Sequence, residues 1–247
     1  MSADLKPQDD VWKSADLVRT FLEGVRGGIP YATDQNQVML RVIAGAGIPV
    51  RRFLDLGCGA GALAAAVLTR FPDAEAVLVD FSEPMLDAAS ASFPQPPHTL
   101  IQSDFGESSW TADVVNLAPF DVVVSGYAIH HQPDHRKQEV YQEIIDLLSP
   151  EGVFINIEHV APASPWISNL NDELFVDSIH AHHQRIGTGK TREQVAAEYV
   201  HRPDKQANIL APLDEQCQWL RETGFVDVDC YFKVFELAVF GGRKPAA

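Results

Sequence analysis

The segment that most constrains the fold is Phe53-Leu54-Asp55-Leu56-Gly57-Cys58-Gly59-Ala60-Gly61. It is a short apolar run that ends in an acid and passes into a glycine at every second position. The alanine-rich stretch 62–70 follows, so the segment reads as a buried strand turning tightly into a helix. Glycine permits the turn and lets backbone approach a ligand where a side chain would block it. Units of this kind build parallel sheets, whose ligands sit beyond the carboxyl ends of the strands.

The rest of the chain carries the same rhythm. Strands are predicted at 52–56, 75–80, 99–103, 121–125 and 153–158, with helices at 62–70, 83–92 and 135–148 between them. Ser82 is placed to cap the second of these helices. Before them lie one helix over 11–24, ended by Gly27-Gly28-Ile29-Pro30, and another from about Asp34 to Ala44. The segment 161–212 breaks the alternation with helices near 167–183 and 192–199. A helix over 214–222, closed by Gly224, then leads into strands at 225–229 and 231–240. The expected architecture is a Rossmann-like, doubly wound α/β sheet of seven strands, the last antiparallel, plus a helical cap. The whole chain, 1–247, is read as one domain: N-terminal helices 1–48, sheet core 49–160 and 213–243, and cap insertion 161–212.

Charge narrows the partners. With 19 Lys+Arg against 34 Asp+Glu the formal net charge is −15, which disfavours a nucleic-acid backbone and suits small cations or uncharged metabolites. Cys58, Cys217 and Cys230 form no C-x-x-C pair and fit a reducing cytoplasm. The first ten residues lack the order of a signal peptide, and no apolar run approaches membrane-span length. A cytoplasmic protein is expected, with no membrane partner.

Taken alone, the glycine string also fits a nicotinamide-dinucleotide turn, with Asp80 near the ribose-binding position. Three features favour another ligand. Asp55 precedes the first glycine and can accept bonds from a ligand ammonium, which a pyrophosphate lacks. Asp104 ends the next strand, where an adenine amine can meet a carboxylate. The fourth strand runs into Ser125-Gly126-Tyr127-Ala128-Ile129-His130-His131 at the same sheet edge.

These pieces, with Leu147–Gly152, resemble the class I S-adenosylmethionine-dependent methyltransferases over roughly 50–160. The resemblance implies a cofactor, S-adenosyl-L-methionine, whose ribose hydroxyls meet Asp80, with Phe81 and Met85 near the adenine. It also implies that Asp104 and the Phe105 amide read the adenine edge. Gly57, Cys58 and Gly59 would line the methionine part beside Asp55, with Ser125 and Tyr127 completing the wall. Within that family the pattern is similar to the carboxy-S-adenosylmethionine synthases, through Ile29-Pro30-Tyr31, Leu174…His182-His183 and Leu220–Phe225. Tyr31 would then reach the cofactor's carboxylate. One departure stands out: Trp219 aligns where that family has a carboxylate-binding arginine, and Arg221 is displaced from it. Without a guanidinium a carboxylated sulfonium lacks its charge-assisted partner, so methyl transfer to a small-molecule acceptor is the expected reaction.

His130 and His131 are the candidate general bases, since an imidazole suits proton transfer near neutral pH. His180, His182 and His183, with Glu158 and His159, lack a zinc signature, and no metal is expected. The insertion 161–212 could serve as a lid, a homodimer contact, or both.

Overall fold

A computed structural model of the protein describes residues 9–93 and 98–247. Seven strands form one sheet: β1 (Arg52–Leu56), β2 (Glu75–Asp80), β3 (His98–Gln102), β4 (Phe120–Gly126), β5 (Leu148–His159), β6 (Val226–Val234) and β7 (Leu237–Arg243). Their order is β3-β2-β1-β4-β5-β7-β6, with β7 antiparallel to both neighbours and the first five strands parallel. The central strands bury both faces, which is why Val122, Val123 and Val124 follow one another without polar alternation.

Ten α-helices occur among the described residues: α1 (Ala15–Thr20), α2 (Ala32–Gly45), α3 (Ala62–Arg70), α4 (Glu83–Ser92), α5 (Thr111–Val114), α6 (Asp134–Leu147), α7 (Pro165–Arg185), α8 (Arg192–Val200), α9 (Pro203–Gln206) and α10 (Leu213–Glu222). Met39, Ile43, Ala64, Val67 and Ala89 carry α2, α3 and α4 onto one face of the sheet. Val114, Val140, Ile144 and Leu220 carry α5, α6 and α10 onto the other. Phe175, Val176, Ile179, Val195 and Tyr199 of α7 and α8 form a third cluster against Leu237, and this seats the cap over the sheet's carboxyl edge. No helix among the described residues is long and apolar enough to cross a membrane.

Two segments differ from the sequence reading. The expected helix over 11–24 is broken into a 3-10 turn at Asp9–Lys13, α1 and a π-turn at Phe21–Val25, because Ser14 caps a new start by accepting from the Leu17 amide. The closing hairpin turns at 235–236 and not beside Cys230. Strand β6 instead absorbs Cys230 in a register shift, its thiol donating to the Phe232 carbonyl.

Candidate active site

A cavity of about 360 Å³ opens where β1, β2, β4 and β5 end, roofed by the N-terminal turns and the cap. Its floor is the glycine loop. The Gly57 and Cys58 amides both donate to the Val79 carbonyl, at 2.8 and 3.0 Å, tying the loop to the neighbouring strand. Asp55 accepts from the Ala64 amide through Oδ2 at 2.9 Å, while Oδ1 is fully buried and has no hydrogen-bond partner. Burial pushes the Asp55 carboxyl up to about 7, against the pull of that amide and of the nearby Arg26 guanidinium. Asp80 accepts from the Gly59 amide at 2.7 Å and the Ser82 amide at 2.9 Å, so one carboxylate fixes both the loop and the start of α4. Burial and the two acids push the Cys58 thiol up, so it is no activated nucleophile.

Facing this acidic floor is a wall of imidazoles. Trp12 Nε1 donates to His131 Nε2 at 3.3 Å, so His131 carries its proton on Nδ1 and donates to the Ala207 carbonyl at 3.1 Å. Burial drives its pKa down to about 3, and both nitrogens are engaged. His130 pairs through Nδ1 with Glu158 and lies 3.1 Å from Asn208 Oδ1 through Nε2. Burial opposes charge on both members of that pair: it drives the imidazole down and the Glu158 carboxyl up, while the His130 and His159 amides donate to Glu158. Tyr127, at φ 55°, turns its ring beside His159 and donates from its hydroxyl to Gln35 at 2.7 Å.

The cavity brings together Asp55, Gly57, Cys58, Gly59, Asp80, Phe81, Met85, Phe105, Tyr127, His130 and His131. Three other expected site residues lie elsewhere. Ser125 is fully buried and donates to the Leu56 carbonyl, stitching β4 to β1. Asp104 sits in a shallow neighbouring pocket with Lys13 and Gln102, accepting from the Gly106 amide. Tyr31 takes a left-handed backbone at the start of α2, which throws its ring outward against Phe232 and leaves it 44% exposed. Trp219 packs on the core under α10 and Arg221 donates to the Val228 carbonyl, so neither lines the cavity. The absence of a guanidinium at 219 therefore removes no charge from the site. The cavity has two arginines of its own, Arg26 and Arg202. Away from it, His180 meets Gln184 and His183 meets Thr188, and among the described residues no three such groups converge on a metal position.

Trp12, Arg26, Phe175, Arg202 and Asn208 line the cavity without any sequence signal that marked them, whereas Glu158 and His159 were weighed with the 180–183 histidines as a metal set or as polar walls of a substrate pocket. Glu158 and His159 end β5, so the strand-end rule that picked out Asp55 and Asp80 also reaches them.

Arg136 supports the site from behind. Its Nε and Nη2 donate to the Phe105 carbonyl at 3.0 and 2.8 Å, and Glu143, which also accepts from the Trp110 indole, holds the guanidinium. Arg136→Met strands a largely buried carboxylate and frees the Phe105 loop. Urea denaturation should show a loss of about 3 kcal/mol, with Arg136→Lys recovering part of it.

Comparison with known proteins agrees with this geometry. Residues 53–152 match the profile of a family described as a methyltransferase domain. The chain is 30% identical over 135 residues to a trans-aconitate 2-methyltransferase of Methylobacterium radiotolerans, an alignment covering 49% of this chain and 48% of that one. The chain thus spans about half the length of that curated relative. It is 22% identical over 234 residues to a carboxy-S-adenosyl-L-methionine synthase of Nitratiruptor, covering 93% and 91% of the two chains. Human N-acetylserotonin methyltransferase, solved with its S-adenosylmethionine, superposes with a TM-score of 0.63 at 16% identity, over 99% of this chain and 60% of that one. The matched residues hold β1 to β4, the glycine loop and the start of β5, and the superposition shows that the chain as a whole shares this fold.

Proposed function

We propose that this chain is a class I S-adenosylmethionine-dependent methyltransferase, which transfers a methyl group to a small-molecule acceptor and releases S-adenosylhomocysteine. The observation that carries the reading is the floor of the cavity. The partnerless Asp55 oxygen suits an ammonium, the Asp80 carboxylate suits a pair of ribose hydroxyls, and the bare loop at Gly57 and Gly59 leaves room for a ligand chain. Phe81, Met85 and Phe105 supply apolar surface for an adenine, and Arg26 supplies a cation for the methionine carboxylate in place of Tyr31. S-adenosylmethionine, when bound, supplies a methyl already activated on a sulfonium. The chain's own residues then have to bind, align and exclude water, which accounts for much of such a rate. Incubating the protein with methyl-labelled cofactor and fractions of small metabolites tests this. Label should pass to an acceptor with one S-adenosylhomocysteine per methyl.

Binding should depend on pH with a definite sign. Asp55 must ionise to meet a cation, and burial pushes its carboxyl up to about 7. Affinity for S-adenosylhomocysteine should therefore fall as pH drops below 7, by up to roughly tenfold per unit, with proton release on binding. Calorimetry at pH 6 and 8 in two buffers of different ionisation enthalpy reads both quantities, and a flat profile removes Asp55 from the contact.

A second reading, conversion of the cofactor to its carboxylated form, is supported by the near full-length similarity to the Nitratiruptor synthase and by Arg26 and Arg202 in the cavity. Mass spectrometry of the ligand released on denaturation separates the two, because the carboxylated species is heavier by one carboxylate.

A further inference from the structure

Of the three imidazoles on the cavity wall, only that of His159 has a nitrogen left to offer. Those of His130 and His131 are engaged at both ring positions. His159 ends β5 and lines the cavity. Its Nδ1 is fully buried, without a hydrogen-bond partner, and 4.0 Å from Glu236 Oε2. The carboxylate therefore favours the proton on Nδ1 and leaves the Nε2 lone pair free. Among the described residues nothing bonds to Nε2. The ring is held by its neighbours: it stacks on Phe175 at 5.3 Å, and Tyr127 tilts against it at 5.2 Å. Phe21, Val25 and Ile157 add apolar surface to the same cavity. This surface accepts a flat, largely apolar molecule and presents to it one hydrogen-bond acceptor.

We propose that His159 faces the acceptor and that the acceptor is a ring-bearing molecule with a hydroxyl group, whose proton passes to His159 Nε2. The inference rests on the methyl-transfer reading. In the step, the acceptor oxygen bonds to the methyl carbon as the carbon–sulfur bond breaks and its electron pair stays on sulfur. The hydroxyl proton moves to Nε2, and Glu236 beside Nδ1 stabilises the resulting imidazolium until it loses a proton to solvent. Burial lowers the pKa of His159 to about 3, yet a methylated hydroxyl is a far stronger acid than any imidazolium. The transfer is therefore downhill even to so weak a base.

The test uses the full chain saturated with S-adenosylhomocysteine and two probes, 4-nitrophenol below its pKa and 4-nitroanisole, which lacks the proton. Wild type should bind the phenol at least tenfold more tightly than the ether by calorimetry. His159→Phe keeps the ring stack and should lose that preference, while His159→Gln, which restores an acceptor, should recover it. Equal binding of the two probes, no binding of the phenol, or a preference that survives in His159→Phe overturns the proposal. A wild type that does not bind S-adenosylhomocysteine overturns the cofactor reading itself, before either probe is added.

Discussion

Asp80→Ala is expected to weaken S-adenosylhomocysteine binding by about 100-fold or more, with the chain still folded. The carboxylate is 7% exposed and does two jobs at once. It holds the Gly59 and Ser82 amides, fixing the glycine loop and the first turn of α4, and it lines the cavity. Hydrogen bonds to a charged acceptor contribute about 1.5–3 kcal/mol each, so losing two ribose contacts accounts for roughly 3 kcal/mol. The fold should suffer less, because burial raises the carboxyl's pKa and its ionisation is already opposed in the native state. Asp80→Asn fills the same space but cannot accept at both arms, and should recover only a part. Calorimetry with matched thermal melts separates the two effects. Affinity within threefold of wild type would remove Asp80 from the site.

Gly57→Ala should be the most damaging single change in the loop. The residue sits at φ 68°, and an added Cβ would lie 2.3 Å from the Ala128 Cβ and 3.2 Å from the Phe105 ring. Those two residues are buried in one core cluster and line the cavity, and the loop cannot retreat without losing its bonds to the Val79 carbonyl. Left-handed strain of about 1–2 kcal/mol and an overpacking cost of similar size give roughly 3 kcal/mol of lost stability. S-adenosylhomocysteine binding should be abolished. Gly47→Ala is the control, since Gly47 has φ 71° but nothing within 4 Å. It should lose only the backbone part, about 1 kcal/mol, and bind as wild type does. A Gly57→Ala protein that binds normally would mean that the walls move freely, contrary to the packing described.

The sheet was readable because its signals are local. A central parallel strand is an unbroken apolar run, and the acid that ends it marks the ligand edge, as at Leu54–Asp55 and Val79–Asp80. The roof was not readable, because its contacts join residues far apart in sequence. Trp12 reaches His131 across 119 positions and His130 reaches Asn208 across 78, and neither pair leaves a periodic trace. Backbone geometry hid the rest. Tyr31 leaves the cavity through one left-handed residue, whereas Tyr127 enters it through another. Trp219 misled because an aligned position says nothing of the face of α10 on which it falls. His159 was visible as a strand-end residue, but its free nitrogen emerges only once the partners of His130 and His131 are known.

The central claim is that this cavity takes S-adenosylmethionine, and calorimetric titration of the purified protein with S-adenosylhomocysteine and, separately, with NADH tests it most directly. One site for S-adenosylhomocysteine per chain is expected, lost in Asp80→Ala, with no heat from NADH. Binding of NADH with none of S-adenosylhomocysteine would contradict it and return the glycine loop to the dinucleotide reading.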